Sequence, residues 1–215
     1  MPLFHLPDNE LYFPPVSLAE PDGLLAIGGD LSPERLLLAY RSGIFPWYNR
    51  KPILWWSPDP RFVLFPEALK VSHSMKQVLK KGNFRISYNE CFETVIDRCR
   101  TAPREGQDGT WITRDMLRAY SALHRQGFAL SVECWEGKEL VGGLYGVKIG
   151  RCFFGESMFA AVSNASKAAF ITFVQQHAGQ LAIIDCQVHT PHLASLGARF
   201  ISRVSFLDTV QRNLD

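Results

Sequence analysis

From Phe128 onward, segments with the hydrophobic patterns of strands and helices follow one another along the second half of the chain. A period of two is typical of strands that bury one face, whereas apolar residues three and four positions apart are typical of helices. The pattern predicts three strands, a helix, an apolar strand, a short helix and a closing strand, at Ala129–Trp135, Leu140–Lys148, Arg151–Phe159, Asn164–His177, Leu181–Val188, His192–Leu196 and Phe200–Phe206. This half of the chain therefore predicts one sheet with helices packed on it.

The first half is less regular and is rich in Pro, Gly and aromatic residues up to position 62. Ser32-Pro33 opens a helix, because Ser is a favoured N-cap and Pro is favoured at the first helical position, and Gly43 ends it. The segment Gly23–Asp30 lacks the spacing of a phosphate-binding loop and is interpreted as a turn. Beyond position 60 the pattern predicts alternating strands and amphipathic helices at Arg61–Phe65, 72–81, Phe84–Tyr88, Cys91–Arg100 and Asp115–Gln126.

The order of these elements indicates an α+β fold. Three antiparallel strands followed by a helix, a buried strand and a further helix resemble the mixed sheet of GCN5-related N-acetyltransferases. We therefore predict that residues 63–215 form an acetyltransferase-like domain with a mixed sheet. Residues 1–62 are predicted to form a smaller α/β domain packed on it.

Composition indicates the cellular compartment in which the protein works. No apolar run reaches the roughly 18 residues of a membrane span, and the N-terminal residues lack the basic flank and apolar run of a signal peptide. Five cysteines form an odd set without a Cys-x-x-Cys motif, which favours reduced thiols in the cytoplasm over disulfides or a zinc site. Residues 61–125 hold twelve Lys/Arg against seven Asp/Glu. That excess suits contact with phosphates but is also common in proteins that bind no nucleic acid.

The segment Leu140–Phe159 contains five glycines and a single carboxylate, Glu156, followed by Ser157. Glycine weakens a strand and usually marks a bulge or a close approach of backbones. A carboxylate among apolar residues must be paired, or must await a ligand that pairs it. Glu156 is therefore either on the solvent face of a plain hairpin or part of a binding site.

A second candidate follows the most apolar strand of the chain, where Asp185 is followed two residues later by Gln187. Ligands commonly bind at the carboxyl ends of strands in α/β sheets, so these side chains could orient a nucleophile or move a proton. The alternative is an Asp that caps the next turn.

The segment 160–167 contains no glycine. The usual glycine-rich loop for the diphosphate of coenzyme A is therefore missing, and a different acyl donor is expected.

Tryptophans form a third group of candidates. Trp47, Trp55 and Trp56 fall within ten residues, and Trp111 precedes a predicted helix. Each could pack between the two domains, or one could offer a surface on which a nucleic-acid base stacks.

These features occur together in segments that resemble the leucyl/phenylalanyl-tRNA–protein transferase family. The matching segments run in the family's order and are Gly23–Leu31, Gly43–Tyr48, Trp55–Pro58, Gly109–Thr113, Leu140–Phe159, Asn164–Lys167, Ile184–Gln187 and His192–Ala198. One departure is Ala160-Ala161, where the family usually has Ser-Arg, and it removes a contact to phosphate or carboxylate.

The resemblance implies an enzyme that transfers Leu or Phe, and also Met, from aminoacyl-tRNA to the α-amine of an N-terminal Lys or Arg. This transfer marks the acceptor protein for degradation by the N-end rule pathway. The implied partners are aminoacyl-tRNA and such acceptor proteins, with no membrane, cofactor or metal and no required oligomer. Because the ester is already activated and the amine has a pKa near about 8, positioning should matter more than a strong general base.

The same resemblance implies roles for particular residues. Asp185, Gln187 and Glu156 would lie at the reacting centre, with Glu156 holding a cationic group. The donor side chain would enter an apolar pocket formed by Leu144, Phe153, Met158, Phe170, Phe173 and Ile184. The terminal adenosine would contact Trp47, Trp111 and Ser157, and tRNA phosphates would contact Lys76, Lys80, Lys81 and Arg85.

Two other classes of function are weighed against this one. A non-catalytic RNA-binding module would keep the aromatic and basic residues, but the carboxylates and the amide at 156, 185 and 187 argue against it. An acetyltransferase that uses coenzyme A is disfavoured by the missing glycine loop.

Overall fold

A computed structural model describes residues 3–102 and 112–215. The strands are β1 (Phe4–Leu6), β2 (Leu24–Gly28), β3 (Phe45–Pro46), β4 (Leu54–Trp56), β5 (Arg61–Leu64), β6 (Phe84–Tyr88), β7 (Ala129–Glu136), β8 (Glu139–Ile149), β9 (Cys152–Ala160), β10 (Ile183–Gln187) and β11 (Arg199–Ile201). The α-helices are α1 (Pro33–Arg41), α2 (His73–Lys81), α3 (Phe92–Thr101), α4 (Arg114–Arg125), α5 (Ala165–His177), α6 (Pro191–Ser195) and α7 (Arg203–Gln211).

Seven strands form the main sheet in the order β11-β5-β10-β9-β8-β7-β6. Strands β9 and β10 are parallel, and every other neighbouring pair is antiparallel. The hairpins β7–β8–β9, the helix α5 and the buried strand β10 follow one another as the hydrophobic pattern predicts. The predicted α+β class with a mixed sheet is confirmed.

The register of β9 creates an opening in the main sheet. Pairing between β9 and β10 ends at Phe154 and Asp185, whereas β8 stays paired with β9 as far as Ala160. The second half of β9 therefore has a free edge facing the segment that follows β10. A ligand can reach strand ends at such a point, as in other α/β sheets.

Four short strands form a second sheet in the order β1-β2-β4-β3. Strand β2 lies where a turn was predicted, so that interpretation of Gly23–Asp30 was wrong. The positive φ angles of Gly23 and Gly28, 98° and 85°, bound the strand rather than interrupt it. Pairing of β2 with both β1 and β4 outweighs the local preference of the glycines for a turn.

Two apolar clusters cover the faces of the main sheet. One joins the small sheet and α1 to α3, α4 and α7, and the other packs α2 and α5 against the opposite face. The helix ends follow the sequence signals closely: the Ser32, Ser72 and Thr113 side chains each accept a hydrogen bond from a backbone N–H of the first turn. The division into domains 1–62 and 63–215 stays a prediction. None of the helices in the described ranges is long and apolar enough to cross a membrane.

The predicted closing strand Phe200–Phe206 was wrong from Ser202 onward. Strand β11 stops at Ile201, and α7 begins at Arg203 after Ser202, whose hydroxyl accepts from the Ser205 N–H. Phe206 and Val210 lie on one face of this helix and are buried, so helical burial outweighs the short alternating pattern.

Candidate active site

A bulge in β9 directs Glu156 out of the regular ladder. Tyr145 pairs with Ser157 and Gly146 pairs with Gly155, so Glu156 has no partner on β8. The extra residue of a bulge turns its side chain and bends the strand, and bulges are common beside active sites. The bulge thus brings a carboxylate from a core strand to the opening beside β10.

A second bulge ends β10 at the same opening. Asp185 pairs with Val63 and Gln187 with Phe62, which leaves Cys186 as the extra residue. Gln187 has a φ of 62°, in the left-handed region that residues other than glycine adopt at a cost. The backbone is held in this form by a hydrogen bond of 2.9 Å from the Gln187 N–H to Oδ1 of Asp185.

Glu156 is surrounded by hydrogen-bond donors and is only 7% exposed. Tyr40 donates to Oε1 at 2.8 Å, Tyr120 donates to Oε2 at 2.7 Å, and Nε2 of Gln187 donates to Oε1 at 2.8 Å. Burial raises the pKa of Glu156 to about 7, against the effect of these hydrogen bonds and with a further contribution from the charge of Asp185. The Glu156 carboxyl group can therefore gain or lose a proton near neutral pH.

The two tyrosines also contact each other, with their hydroxyl oxygens 2.5 Å apart. Tyr40, Tyr120 and Glu156 thus share three short oxygen contacts, whereas the two hydroxyls supply only two protons. All three contacts are hydrogen bonds only when Glu156 carries the third proton. This geometry agrees with the raised pKa and defines a place where one proton can be taken up or released.

Asp185 is ion-paired rather than free. Its Oδ1 accepts from Nε of Arg61 at 2.8 Å and its Oδ2 accepts from Nη2 of Arg61 at 2.7 Å. Both side chains are 1% exposed. A buried bidentate pair of this kind fixes the carboxylate in orientation and charge.

A cavity of about 420 Å³ lies against these groups, with a mostly apolar wall. Its size is in the range of pockets that hold small ligands. The side of the cavity formed by β8, β9 and the small sheet is lined by Phe45, Trp47, Leu144, Tyr145, Phe153 and Gly155 to Ala160. The other side is lined by Ser166, Phe170, Ile184 to Val188, Thr190, His192 and Leu193. No group of three His, Cys, Asp or Glu residues in the described part of the chain is arranged to hold a metal ion.

Comparison with known proteins identifies the group to which this chain is related. The family model described as leucyl/phenylalanyl-tRNA protein transferase matches residues 63–211, and the model of that family's N-terminal domain matches residues 29–59. The chain belongs to the leucyl/phenylalanyl-tRNA–protein transferase family. The resemblance found in the sequence is thereby confirmed, and the chain is a member of a family of aminoacyltransferases.

Individual relatives match over nearly the whole length. A leucyl/phenylalanyl-tRNA–protein transferase of Anaeromyxobacter sp. (strain Fw109-5) is 56% identical over 217 residues, covering 100% of this chain and 92% of that protein. One of Syntrophus aciditrophicus (strain SB) is 57% identical over 207 residues, covering 95% and 86%. Among solved structures, a GCN5-related N-acetyltransferase of Kribbella flavida aligns with a TM-score of 0.35 and 9% identity, over 77% of this chain and 60% of that chain.

Most residues that the resemblance to the transferase family implies for the donor pocket lie around this cavity. Those that line it are Leu144, Phe153, Met158, Phe170 and Ile184. Phe173 lies behind Phe153 in the core, with the two rings 4.7 Å apart, and supports the wall instead. Glu156, Asp185 and Gln187 lie together at one side of the same cavity.

Some of the residues implied for contact with tRNA lie at the cavity, and others lie on the protein surface. Trp47 and Ser157 line the cavity, and Trp47 is 37% exposed. Trp111 falls outside the described residues. Lys76, Lys80 and Lys81 are exposed on α2.

Arg85 differs from the three lysines because it already has an acidic partner. It forms two hydrogen bonds with the carboxylate of Glu90, at 2.8 and 3.1 Å, on the protein surface. It also lies over the ring of Trp135. A phosphate would have to compete with Glu90 for this guanidinium.

Three polar residues that bind the two carboxylates were missed by the sequence analysis. Tyr40 and Tyr120 belong to apolar helix faces, and Arg61 opens a core strand. The available signal is chemical: a hydroxyl or guanidinium on a face that becomes buried needs a polar partner. Two carboxylates without an assigned partner, Glu156 and Asp185, were the candidates for that role.

Proposed function

We propose that this protein transfers Leu or Phe, and also Met, from aminoacyl-tRNA to the α-amine of an N-terminal Lys or Arg on an acceptor protein. Under this proposal the transfer takes place in the cytoplasm and marks the acceptor for degradation. The observation that carries the proposal is the apolar cavity whose wall holds Glu156, Gln187 and Asp185 together. The site is formed within one chain, so a second copy is not required.

The apolar wall of the cavity favours the binding of an apolar donor side chain. Leu144, Phe153, Met158, Phe170 and Ile184 offer aliphatic and aromatic surface and no charge. Burial of a Leu or Phe side chain on such surface stabilises the complex by about 1.5–3 kcal/mol. A polar or charged donor residue would lose its hydration without gaining a partner, and the pocket would reject it.

The reaction makes a peptide bond at the expense of an ester. The acceptor nitrogen attacks the ester carbonyl carbon, a C–N bond forms, and the C–O bond to the tRNA ribose breaks. One proton leaves the amine and one is taken by the ribose oxygen, so the products are the extended protein and free tRNA. Because the ester is activated, the site has mainly to align the two reactants.

The contacts within the site support separate roles for its three polar residues. The Gln187 amide directs its Nε2 at Glu156, so its oxygen is left to accept a hydrogen bond from the attacking amine. Glu156, when ionised, can hold a cationic amine. Asp185 has both oxygens bound by Arg61 and is therefore assigned an orienting role rather than that of a general base.

Exposed lysines on α2 support contact with the tRNA backbone. Lys76, Lys80 and Lys81 carry positive charge on one surface helix, which suits phosphates read by shape rather than by sequence. Ala160, which lines the cavity, and its neighbour Ala161 are both exposed where the family usually has Ser-Arg. Any contact that a Ser-Arg pair would make to phosphate or carboxylate must come from other residues in this chain.

The decisive experiment compares acyl donors and acceptors. Radiolabelled Leu-tRNA, Phe-tRNA, Ile-tRNA and acetyl-coenzyme A are each incubated with the protein and a substrate that begins with Arg, and with the same substrate acetylated at its N-terminus. We expect label from Leu-tRNA and Phe-tRNA on the free amine alone. Labelling from acetyl-coenzyme A, or binding of tRNA without any transfer, would contradict the proposal.

A further inference from the structure

Arg61 lies next to the reacting groups but is separated from the cavity. Its guanidinium carbon lies 4.6 Å from the ring centre of Phe45 and 4.7 Å from that of Phe206. Phe45 lines the cavity, whereas Arg61 is not among the lining residues of the described chain. Arg61 therefore makes no direct contact with a ligand in this cavity, and its contacts with lining residues are the route by which it can position them.

Asp185 is the only polar partner of the Arg61 guanidinium within residues 3–102 and 112–215. Two hydrogen bonds from a planar fork fix both the position and the rotation of the carboxylate. The same carboxylate oxygen, Oδ1, accepts from the Gln187 N–H at 2.9 Å. With a φ of 62°, Gln187 places its side-chain nitrogen Nε2 2.8 Å from Oε1 of Glu156.

These contacts form a chain from Arg61 through Asp185 and Gln187 to Glu156. A left-handed conformation at a residue other than glycine persists only when its surroundings fix it. Here the Asp185 carboxylate accepts a hydrogen bond from the backbone N–H of Gln187, and Arg61 holds that carboxylate in place. Without the guanidinium, Asp185 would be an uncompensated buried charge and would turn towards other donors or take up a proton.

We propose that Arg61 is a positioning residue for the transfer reaction, holding Asp185 so that Gln187 faces the reacting centre. The inference rests on the proposed function and goes beyond it, since Arg61 touches neither substrate. A misplacement of about 1 Å at a reacting group can reduce the rate about a hundredfold. Loss of Arg61 should therefore lower kcat and leave the binding of tRNA to the lysines and apolar wall unchanged.

Two substitutions at Arg61 grade the effect. Arg61→Lys keeps a positive charge but cannot form the two parallel hydrogen bonds, and Arg61→Met removes both the charge and the bonds. We expect kcat to fall about tenfold in the Lys variant and about a hundredfold in the Met variant. KM for Leu-tRNA should stay within about twofold of the wild-type value in both. Rates are calculated per folded molecule. The folded fraction of each variant is measured by far-ultraviolet circular dichroism and by urea unfolding.

A matched control separates positioning from stability. Arg35 is also an arginine that is 1% exposed, but it binds the backbone oxygens of Pro7 and Glu10, away from the cavity lining. Arg35→Met should lower the melting temperature and leave kcat per folded molecule unchanged. A kcat for Arg61→Lys or Arg61→Met within twofold of wild type would overturn the inference.

A double-mutant cycle tests whether Arg61 acts through Asp185. If it does, Arg61→Met combined with Asp185→Asn should lower kcat no further than the stronger single change. Multiplied effects of the two single changes would mean independent roles and would overturn the inference. The cycle uses kcat, so it applies even if both changes also reduce stability.

Hydrogen exchange at the backbone N–H of Gln187 gives a readout that does not depend on activity. In wild type this amide is bonded to Asp185, so Arg61→Lys should speed its exchange about tenfold while amides of β8 are unaffected. An unchanged Gln187 rate would contradict the positioning role. If wild type transferred no amino acid, the proposed function would fail, whereas this exchange measurement would still decide whether Arg61 holds Gln187.

Discussion

Glu156→Gln separates the charge of the buried carboxylate from its hydrogen bonds. Glutamine has the same shape, and its oxygen can accept from Tyr40 while its nitrogen donates to Tyr120. The variant therefore stands for the protonated form of Glu156, in which all three oxygen contacts of the cluster are hydrogen bonds. Its stability relative to wild type should depend on pH, because only wild type has to ionise.

The magnitude follows from the raised pKa of Glu156. Its ordinary value is 4.5 and its value in the folded protein is about 7. Between these values the folded state keeps a proton that the unfolded state has released, so the free energy of unfolding of wild type falls as pH rises through this window. At about 1.36 kcal/mol for each pH unit, the free energy of unfolding decreases by about 3 kcal/mol.

Urea unfolding followed by tryptophan fluorescence at pH 5, 6, 7 and 8 measures this effect. We expect the free energy of unfolding of Glu156→Gln, minus that of wild type, to increase by about 2.5 kcal/mol between pH 5 and pH 8, since pH 5 already lies inside the window. Glu90→Gln is the control, because Arg85 lowers the pKa of that exposed carboxylate and no gain at high pH is expected. A difference between Glu156→Gln and wild type that stays constant across the series would refute the reasoning.

Three further predictions concern the walls of the cavity and the tRNA surface. Trp47→Ala should weaken binding of aminoacyl-tRNA by about 1–3 kcal/mol in a filter-binding assay if a base stacks on its exposed ring, and unchanged affinity would place the adenosine elsewhere. Lys80→Ala with Lys81→Ala should lower the slope of log affinity against log salt by about 0.7–0.9 for each phosphate that the protein no longer neutralises; an unchanged slope would move the footprint away from α2. Gly146→Ala should lower the melting temperature markedly, because the new Cβ would collide with the backbone oxygen of Phe154, and a fully stable variant would contradict the close approach of β8 and β9.

Several features of the fold could be predicted from local sequence because their causes are local. Ser32, Ser72 and Thr113 cap helices with their own hydroxyls, and Gly82 ends α2 in the left-handed conformation. Strands β7, β8 and β9 are mostly apolar because apolar clusters cover both faces of the sheet and most of their residues are buried. Glu156 was identified for a related reason, since a lone carboxylate in an apolar strand needs partners that the strand itself cannot provide.

Other features could not be predicted because they depend on contacts between distant parts of the chain. Strand β2 exists through its pairing with β1 and β4, although its glycines favour a turn. The helix α7 replaces part of a predicted strand because Phe206 reaches the core as a helical residue. In both places tertiary burial exceeds a local preference worth about 1 kcal/mol or less.

The sequence by itself determined the family, the order of the elements from β5 to α6, and the two acidic residues that lie at the cavity. Only the tertiary structure decided which groups those acids contact. Tyr40 and Tyr120 reach Glu156 from helices 116 and 36 residues away, and Arg61 reaches Asp185 across 124 residues. A carboxylate's pKa and freedom to move are set by the donors and charges within a few ångströms, and spacing along the chain does not reveal which groups those are.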